Sequence, residues 1–440
     1  MFYRIAITFI LAIYSVESLA QWQPLPLRER AAVIDNITEQ RIKQLLPKLM
    51  DKHGVDMWLI ISREYNEDPI IKTLLPATWH SARRRTILAF VNTPNEGVKA
   101  LAIAPYKVGN SFERAWDKAK QPDQWQALVD IINQYQPKNI ALNESEFWGH
   151  ADGLVITDKR ELIDALPQKY HHRLVSAEPL AIAWLETRIA PELDIMENLV
   201  AQAHRIIAEG FSSDVIEIGK TTTEDMQWWF REKVLAINLQ TWFHPSVAIQ
   251  RSDNVKFDHE DSFTNGYGDQ IIQQGDLLHV DFGLTYLRLN TDTQQHAYVL
   301  QKGETQAPNY LTNALQKGNL LQDIFTNEFT KGRTGNAVLK SSLEKAKAKG
   351  LKPTIYSHPL GYHGHGAGTT LGMWDQQQGV RGTGDHPLHY NTAYSIELNN
   401  AIYINAWQKE IRIMLEEDAY FDERGIRYFD GRQTELLLVK

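Results

Sequence analysis

Acidic residues inside apolar runs are the feature that most restricts how this chain can fold. From Gly268 onward the sequence turns to β-rich runs such as DLLHVDFGLTYLRLN, AYSIELNNAIYI and EIRIMLEEDAYF, each of which carries carboxylates among apolar residues. Burying an isolated carboxylate is very costly, so we expect these side chains to be paired or to bind a metal. Because the chain has no cysteine, only carboxylates and imidazoles are available to hold such a metal.

Asp281 and Asp292 form the first candidate pair, 11 residues apart. On one continuous strand this odd separation would place them on opposite faces, whereas on the two arms of a hairpin that turns near residues 286–288 they can face each other. Two like charges that face each other repel, so we expect a cation between them. Further acidic positions on β-like runs are Glu397 and the trio 416–418. Oxygen donors with one imidazole suit Mn, Co, Fe or Zn in a two-metal site.

A histidine-rich and glycine-rich stretch can supply the imidazole. The stretch SHPLGYHGHGAGTTLGMWD, residues 357–375, contains His358, His363 and His365. It does not fit a phosphate-binding loop, because Gly366 and Gly368 begin a G-x-G whose third position falls on Leu371, and no P-loop lysine follows. A histidine-rich metal-scavenging tract would leave the carboxylates unexplained. Each of these residues alone also has an ordinary structural explanation, so the interpretation depends on their combination.

The first part of the chain alternates short β-rich runs with helical patterns. MWLIIS (57–62) and RTILAFV (85–91) predict strands, and Trp125 to Tyr135 predicts a helix. We therefore expect an α/β domain over residues 21–187.

A second domain is expected over residues 188–440. Near residue 188 a proline-marked segment opens a long amphipathic helix, whose apolar face comprises Ile195, Leu199, Ala203, Ile206 and Ile207. A further helix is predicted to begin at the threonine-rich cap TTTED.

The charge balance and the amino terminus limit the partners and the location of the protein. A formal net charge of -8 and the absence of a long Lys/Arg block argue against nucleic-acid binding. Residues 1–20 have a positive residue, Arg4, then an apolar core and small residues before Gln21, as in a secretory signal peptide. We expect export to the periplasm or the cell exterior. An uncleaved membrane anchor is the alternative, although the apolar core is shorter than the roughly 20 residues of a membrane span.

The order of the candidate residues resembles that of the pita-bread metallopeptidases. An Asp, a second Asp eleven positions on, a His in a glycine-rich loop, a Glu after an Ile on a strand, and a Glu-Asp near the carboxyl terminus match methionine aminopeptidase, Xaa-Pro aminopeptidase and prolidase. The amino-terminal segment and the region APELDIMENLVAQAH resemble the creatinase-type N-domain and helical entry of the proline-specific branch. The resemblance implies a creatinase-like α/β domain over residues 21–187 and an α+β pita-bread catalytic domain over residues 188–440.

By this resemblance two divalent cations are bound by Asp281, Asp292, His365, Glu397 and Glu417. Asp292 and Glu417 would bridge both ions, and Glu397 would act as the general base. The ions would be Mn²⁺, with Co, Zn or Fe as alternatives, and would activate a water molecule near neutral pH and polarise the scissile carbonyl. The choice between Glu416 and Glu417 is open. We take Glu417 because Asp418 follows it, as in the family.

The resemblance also implies roles for the histidines, some at the metal and some at the substrate. His365 sits in the family pattern of a Gly, the ligand His, two residues and a Gly, and we place His358 and His363 on the substrate side. Which of the three binds the metal stays open. Upstream, His259 is expected to donate a proton or stabilise the oxyanion, with a surface histidine as the alternative, and His244 is a weaker candidate.

The resemblance implies an exported peptidase that hydrolyses Xaa-Pro bonds at peptide N-termini or in dipeptides, acting as a homodimer. One alternative is a non-catalytic pita-bread protein that binds peptides, although such relatives typically lose metal ligands. A metal-free creatinase-like amidinohydrolase is a further alternative, but its chemistry would not need four carboxylates. Leu398 replaces the usual proline after the first glutamate, and the glycine common between the two aspartates is missing. These departures affect the substrate pocket and leave the metal ligands in place.

Overall fold

The chain is described here from a computed structural model, which covers residues 22–93, 96–256, 258 and 268–440. The expected signal peptide, residues 1–20, lies outside these ranges. No helix in the part of the chain that the structure describes is long and apolar enough to cross a membrane.

A six-stranded mixed sheet organises the amino-terminal part. Its strands are β1 (Met57–Arg63), β2 (Arg85–Thr93), β3 (Gly97–Ile103), β4 (Glu113–Arg114), β5 (Ile140–Leu142) and β6 (Leu174–Ser176), in the order β4-β3-β2-β1-β5-β6. Strand β1 is antiparallel to β2 and parallel to β5. Along β1, Met57, Leu59 and Ile61 face one core and Trp58 and Ile60 face the other. Because both faces are covered, the sequence of this strand is an unbroken apolar run.

Helices cover both faces of this sheet. They are α1 (Leu27–Gln40), which continues through a π-helical segment (Arg41–Leu45) into α2 (Leu46–His53), then α3 (Pro69–Leu74), α4 (Gln124–Tyr135), a short 3-10 turn (Gly149–Ala151), α5 (Ile156–Ala165), α6 (Gln168–His171) and α7 (Glu178–Glu186). Helix α4 begins where the Asp123 carboxylate accepts hydrogen bonds from the backbone N–H groups of Trp125 and Gln126. The helix predicted to start at Trp125 is therefore present.

Two helices then lead into the second sheet. They are α8 (Ala190–Gly210) and α9 (Thr223–Ala236), and α9 is capped by the hydroxyl of Thr222, which accepts from the Asp225 N–H. Both helices were expected from the sequence.

A buried ion network fixes the start of α8 against the amino-terminal part. Arg41 Nη1 lies 2.7 Å from Glu192 Oε2, and Arg188 Nη1 lies 3.3 Å from Glu192 Oε1. All three side chains are buried. Losing either arginine would leave the carboxylate with less compensation in a low-dielectric interior, so the network holds the two parts in one arrangement.

The carboxyl-terminal part contains a nine-stranded sheet and a small three-stranded one. The strands are β7 (Gln240–Thr241), β8 (Ser246–Gln250), β9 (Leu277–Phe282), β10 (Leu284–Tyr286), β11 (Leu289–Asn290), β12 (Thr293–Val299), β13 (Pro353–Ile355), β14 (His358–Leu360), β15 (Thr392–Ile404), β16 (Lys409–Asp422), β17 (Gly425–Tyr428) and β18 (Leu437–Val439). The large sheet runs β13-β15-β16-β12-β9-β8, with β14 beside β15, β17 beside β16 and β18 beside β12.

One face of the large sheet is covered by two helix pairs. Helices α8 and α9 pack on Val280 and Phe282 of β9, and α10 (Asn309–Thr326) and α11 (Gly335–Ala348) pack on Ile396 of β15 and Leu415 of β16. Because side chains alternate along a strand, the intervening residues of these strands point to the opposite face. Asp281, Glu397 and Glu416 occupy these intervening positions. The mixed α/β amino-terminal part and the helix-covered carboxyl-terminal sheet confirm the predicted fold class.

Candidate metal centre

Strand register brings the acidic residues together. Asp281 on β9 pairs with Gln294 on β12, Gln294 pairs with Glu416 on β16, and Glu416 pairs with Glu397 on β15. Side chains of directly paired residues lie on the same face of a sheet. The pairing therefore places Asp281, Glu416 and Glu397 in one row across four adjacent strands.

Asp292 joins this row through the hairpin expected from the sequence. Strands β10 and β11 are joined at Leu287 and Arg288, whose φ angles are 52° and 70°. Two positive φ values are what a two-residue type I′ turn requires, and here non-glycine residues adopt them. The returning chain brings Asp292 to the acidic row, and ligand atoms of Asp281, Asp292 and Glu416 lie within 4.8 Å of one another.

His358 faces the carboxylates from strand β14, which pairs with β15. Its Nε2 lies 3.8 Å from a carboxylate oxygen of each of Asp292, Glu397 and Glu416. Its Nδ1 lies 3.0 Å from the carbonyl oxygen of Pro359, which can only accept a hydrogen bond. The ring proton is thus assigned to Nδ1, and Nε2 presents a lone pair to the carboxylates.

The centre contains buried atoms that lack partners. Asp281 Oδ1 and His358 Nε2 are both buried, and neither forms a hydrogen bond with any residue that the structure describes. No lysine or arginine of the described ranges forms an ion pair with the four clustered carboxylates. Buried polar atoms are normally satisfied, so this arrangement indicates a site for a ligand that supplies positive charge.

The pKa values of the four carboxyls reflect the same crowding. Burial raises the pKa of Asp281 to about 7. Burial, followed by repulsion from neighbouring carboxylates, raises the pKa of Asp292, Glu397 and Glu416 well above the ordinary range. Burial lowers the pKa of His358 to about 3, so this imidazole is neutral near pH 7. A divalent cation that bound these groups would displace their protons, because metal ligands must be deprotonated.

Polar side chains around the carboxylates hold their orientation. Gln294 Nε2 donates to Glu397 Oε1 at 2.6 Å and to Glu416 Oε2 at 2.7 Å, and its Oε1 lies 2.9 Å from His279 Nε2. The Ser395 hydroxyl donates to Glu416 Oε1. Sequence reasoning did not identify Gln294, although it follows Asp292 by two residues, a spacing that places side chains on the same face of an extended segment.

The structure places Glu416, and not Glu417, among the clustered carboxylates. Glu417 pairs with Ile396 and lies on the opposite face of the sheet. Its Oε2 is 2.8 Å from His204 Nε2, and its Oε1 accepts from the Gln433 backbone N–H at 2.8 Å. The assignment of Glu417 as a metal ligand therefore has to be corrected, because its carboxylate is directed to a separate hydrogen-bond network.

The other candidate histidines are distributed over different environments. His365 is exposed, and its ligand atom lies within 4.8 Å of those of Asp292 and His358. The ring of His363 lies 4.6 Å from that of His150 in the amino-terminal part, away from the clustered carboxylates. His244 contacts Trp228 at a ring distance of 5.0 Å. His259 lies outside the described residues, so its expected role stays a prediction.

Close backbone approach positions His365. The indole of Trp242 donates to the Thr291 carbonyl at 2.8 Å, and its ring centroid lies 5.2 Å from that of His365. A Cβ at Gly364 or at Gly283 would overlap this indole. Glycine at both positions lets Trp242 lie between the histidine-rich stretch 357–375, which we call the metal-site loop, and the β9–β10 connection.

Comparisons with known proteins agree with this geometry. A model of metallopeptidase family M24 matches residues 197–428, more than half of the chain. No curated protein sequence matches this chain. Among solved structures, the X-Pro aminopeptidase from Thermotoga maritima has a TM-score of 0.63 at 16% identity, over 89% of this chain and 100% of that one. The Xaa-Pro dipeptidase from Bacillus anthracis has a TM-score of 0.58 at 14% identity, over 94% and 100%.

The same fold also occurs in a subunit of a larger complex. The N-terminal domain of a FACT complex subunit from Cicer arietinum (chickpea) has a TM-score of 0.54 at 10% identity, over 94% of this chain and 99% of that one. Similarity at such identities shows the fold, and the family match carries the classification. Together with the predicted order of acidic residues and histidines, these findings confirm that the chain belongs to metallopeptidase family M24 and has the pita-bread fold.

Proposed function

We propose that this M24 peptidase hydrolyses Xaa-Pro bonds and that its centre holds two divalent metal ions, Mn²⁺ first and Co, Zn or Fe as alternatives. The observation that carries the proposal is the convergence of Asp281, Asp292, Glu397 and Glu416 on one buried face with His358. Four carboxylates with one imidazole fit a two-metal site of hard and borderline divalent ions. A non-catalytic role would not require this set of raised-pKa carboxyls to be kept together.

His358 is the better-placed imidazole ligand for these ions. Its unprotonated Nε2 is buried, without a hydrogen bond in the described residues, and 3.8 Å from three of the carboxylates. The hydrogen bond from its Nδ1 to the Pro359 carbonyl is the usual way in which a metal-binding histidine is oriented. His365, which the glycine pattern favoured, lies beside it at a ring distance of 4.8 Å and is exposed. We therefore assign His365 to the substrate side or to a second position on the metal.

In the proposed reaction the metal ions activate water, and side chains of the centre transfer the proton and contact the peptide. Bound divalent ions supply Lewis acidity and lower the pKa of a water molecule. Glu397 Oε1 is held by Gln294, and its carboxylate is the least buried of the three that face His358, at 12% side-chain exposure against 5% and 1%. Glu397 can thus accept a proton from the attacking water and pass it to the leaving amine. His365 is positioned at the exposed side of the centre to contact the peptide.

A peptidase assay with defined metals tests this function. Metal-depleted protein is supplied with Mn²⁺ or Co²⁺ and offered Xaa-Pro dipeptides, longer Xaa-Pro-Xaa peptides and matched peptides with alanine in place of proline. We expect metal-dependent cleavage of the proline peptides, and the ratio between dipeptides and longer peptides defines the subclass. Two results would argue against the proposal. One is a cleavage rate that is the same with and without metal, and the other is a cleavage rate that is the same for the proline and the alanine peptides.

Two aspartate variants serve as the control pair. Asp292→Ala removes a carboxylate of the centre and is expected to abolish cleavage. Asp164→Ala removes an exposed carboxylate on α5 and is expected to leave cleavage unchanged. Full activity in Asp292→Ala would contradict the two-metal centre. Tight binding of proline peptides without any turnover would favour a non-catalytic peptide-binding protein.

We further propose export and dimerisation as properties of the mature protein. Residues 1–20 have the pattern of a signal peptide, and amino-terminal sequencing of the protein from the periplasm or medium is expected to begin at Gln21. A mature protein that begins at Met1 would contradict cleavage. The homodimer expected from the resemblance predicts a sedimenting mass of twice the chain, and a mass of one chain would contradict it.

A further inference from the structure

A second group of metal-ligand side chains lies outside the centre described above. Glu186 is the last residue of α7, and His386 and His389 lie in the segment just before β15. Ligand atoms of these three side chains all lie within 4.8 Å of one another. Glu186 Oε2 is 3.3 Å from His386 Nε2, and the two imidazole ring centroids are 5.3 Å apart.

The facing atoms of this group are buried and unsatisfied. Glu186 is 2% exposed, and its Oε2 forms no hydrogen bond with any described residue. The Nε2 atom of His386 is also buried and forms no hydrogen bond within the described ranges, despite its proximity to that carboxylate. A carboxylate oxygen at this depth normally has a donor, so the group lacks a component that would satisfy both atoms.

His53 is a further histidine with a buried ring nitrogen, in the amino-terminal part and outside this group of three. It is the last residue of α2, and its Nε2 is buried without a hydrogen bond in the described part of the chain. Burial lowers the pKa of His53, Lys52, His389 and His386 lower it further, and Glu186 acts in the opposite direction. Burial thus favours the neutral form of this imidazole, but His53 is not among the three residues whose ligand atoms converge.

One measured separation in this group matches an edge of a tetrahedral zinc site. Zinc binds imidazole nitrogen and carboxylate oxygen at about 2.0–2.2 Å, and adjacent ligand atoms of such a tetrahedron are about 3.3–3.5 Å apart. The distance between Glu186 Oε2 and His386 Nε2 agrees with one edge of that tetrahedron. Sites with one carboxylate and several imidazoles and no thiolate suit Zn²⁺, and chains without cysteine can build them.

We propose that Glu186, His386 and His389 form a mononuclear Zn²⁺ site that is separate from the catalytic centre, with a water molecule as the fourth ligand. The site joins the carboxyl end of α7 to the segment just before β15, and its role is structural. Glu186 also packs under the metal-site loop, because a Cβ at Gly368 would lie 2.7 Å from its Oε2. Gly368 is three residues after His365, so zinc at this position would fix the base of that loop.

Zinc stoichiometry in variants tests the site without relying on activity. All variants are made in full-length protein that carries Asp292→Ala, which weakens the catalytic centre. Each protein is saturated with Zn²⁺ and desalted before elemental analysis. Adding His386→Ala and His389→Ala is expected to lower bound zinc by about one ion per chain. The matched pair His80→Ala and His172→Ala, both exposed, is expected to change nothing. Equal zinc content in the two double variants would overturn the proposal and leave the group as an ion pair.

Two further measurements cover the case in which the histidine variants do not fold. Glu186→Gln keeps the shape of the side chain and removes its charge, and it is expected to weaken one class of zinc sites by at least about tenfold in a calorimetric titration. In the unmodified protein, saturation with Co²⁺ is expected to give an intense absorption band typical of four-coordinate Co²⁺, which persists in Asp292→Ala. Unchanged titrations in Glu186→Gln, or the absence of that band, would each contradict the site.

Discussion

At the scale of single residues, neighbouring glutamates have different surroundings because side chains alternate along β16. Glu416 faces Asp281 and Glu397, whereas Glu417 faces His204 and Gln433. The sequence placed both glutamates on one β-like run and favoured Glu417 while leaving the choice open. A shift of one residue in register reverses every side chain, and the register depends on pairing with β15 and also with β12, whose Gln294 lies more than a hundred residues from Glu416.

Replacing each glutamate by glutamine separates these roles. Glu416→Gln is expected to lower the number of bound Mn²⁺ ions and the activity, since it removes a charge shared by the centre. Glu417→Gln is expected to keep the metals and to destabilise the fold by about 1–3 kcal/mol, because a buried hydrogen-bonded acceptor is altered. Elemental analysis and denaturant unfolding measure the two effects. Loss of metal in Glu417→Gln alone would reverse the assignment.

The two neighbouring histidines can be separated in the same way. His358→Ala is expected to lower Mn²⁺ affinity by more than the roughly 10- to 100-fold typical of losing a residue that only orients a ligand. His365→Ala is expected to lower kcat/KM while metal affinity changes much less, because this imidazole is exposed. Calorimetric titration with Mn²⁺ distinguishes the variants. The opposite order of affinities would identify His365 as the ligand, as the glycine pattern suggested.

At the scale of elements, the metal-site loop depends on how closely backbones approach Trp242. Its indole lies between Gly283, which follows β9, and Gly364 in the loop. The sequence showed that the loop is rich in glycine but not which glycines are needed for space. The tryptophan that requires them is more than a hundred residues from the loop and carries no local signal. The hairpin between the two aspartates was predictable, since separation and alternation sufficed to locate its turn.

Alanine at Gly283 tests this packing. Gly283→Ala is expected to destabilise the fold by about 1–3 kcal/mol, the usual cost of overpacking, and to weaken metal binding by displacing Trp242. Gly149→Ala is the control, since an added Cβ meets nothing within 4 Å there, and a change within about 0.5 kcal/mol is expected. Denaturant unfolding measures both. Equal stabilities for the two variants would show that Trp242 adapts without cost.

At the scale of the whole molecule, the clustered carboxylates couple stability to metal and pH. Their folded pKa values are raised, to about 7 for Asp281, above the ordinary value of about 4. Between these values the folded metal-free protein holds protons that the unfolded chain has released. The contribution of these groups to stability is therefore present at low pH and is lost as the pH rises toward 7.

Thermal unfolding with and without Mn²⁺ tests this coupling. The increase in Tm on adding Mn²⁺ is expected to be larger at pH 7.5 than at pH 5, because protons compete with the metal at the lower pH. At free metal 100-fold above Kd the stabilisation is about 2.7 kcal/mol. Glu416→Gln is expected to show a smaller increment at pH 7.5. An increment that does not depend on pH would contradict the raised pKa values.

Anomalous X-ray scattering from crystals grown with Mn²⁺ tests the central claim most directly, because it locates the ions. Two strong peaks are expected in contact with Asp281, Asp292, Glu397 and Glu416, with His358 Nε2 bound to one of them. Absence of peaks among these carboxylates, or a peak bound by Glu417, would contradict the proposed centre.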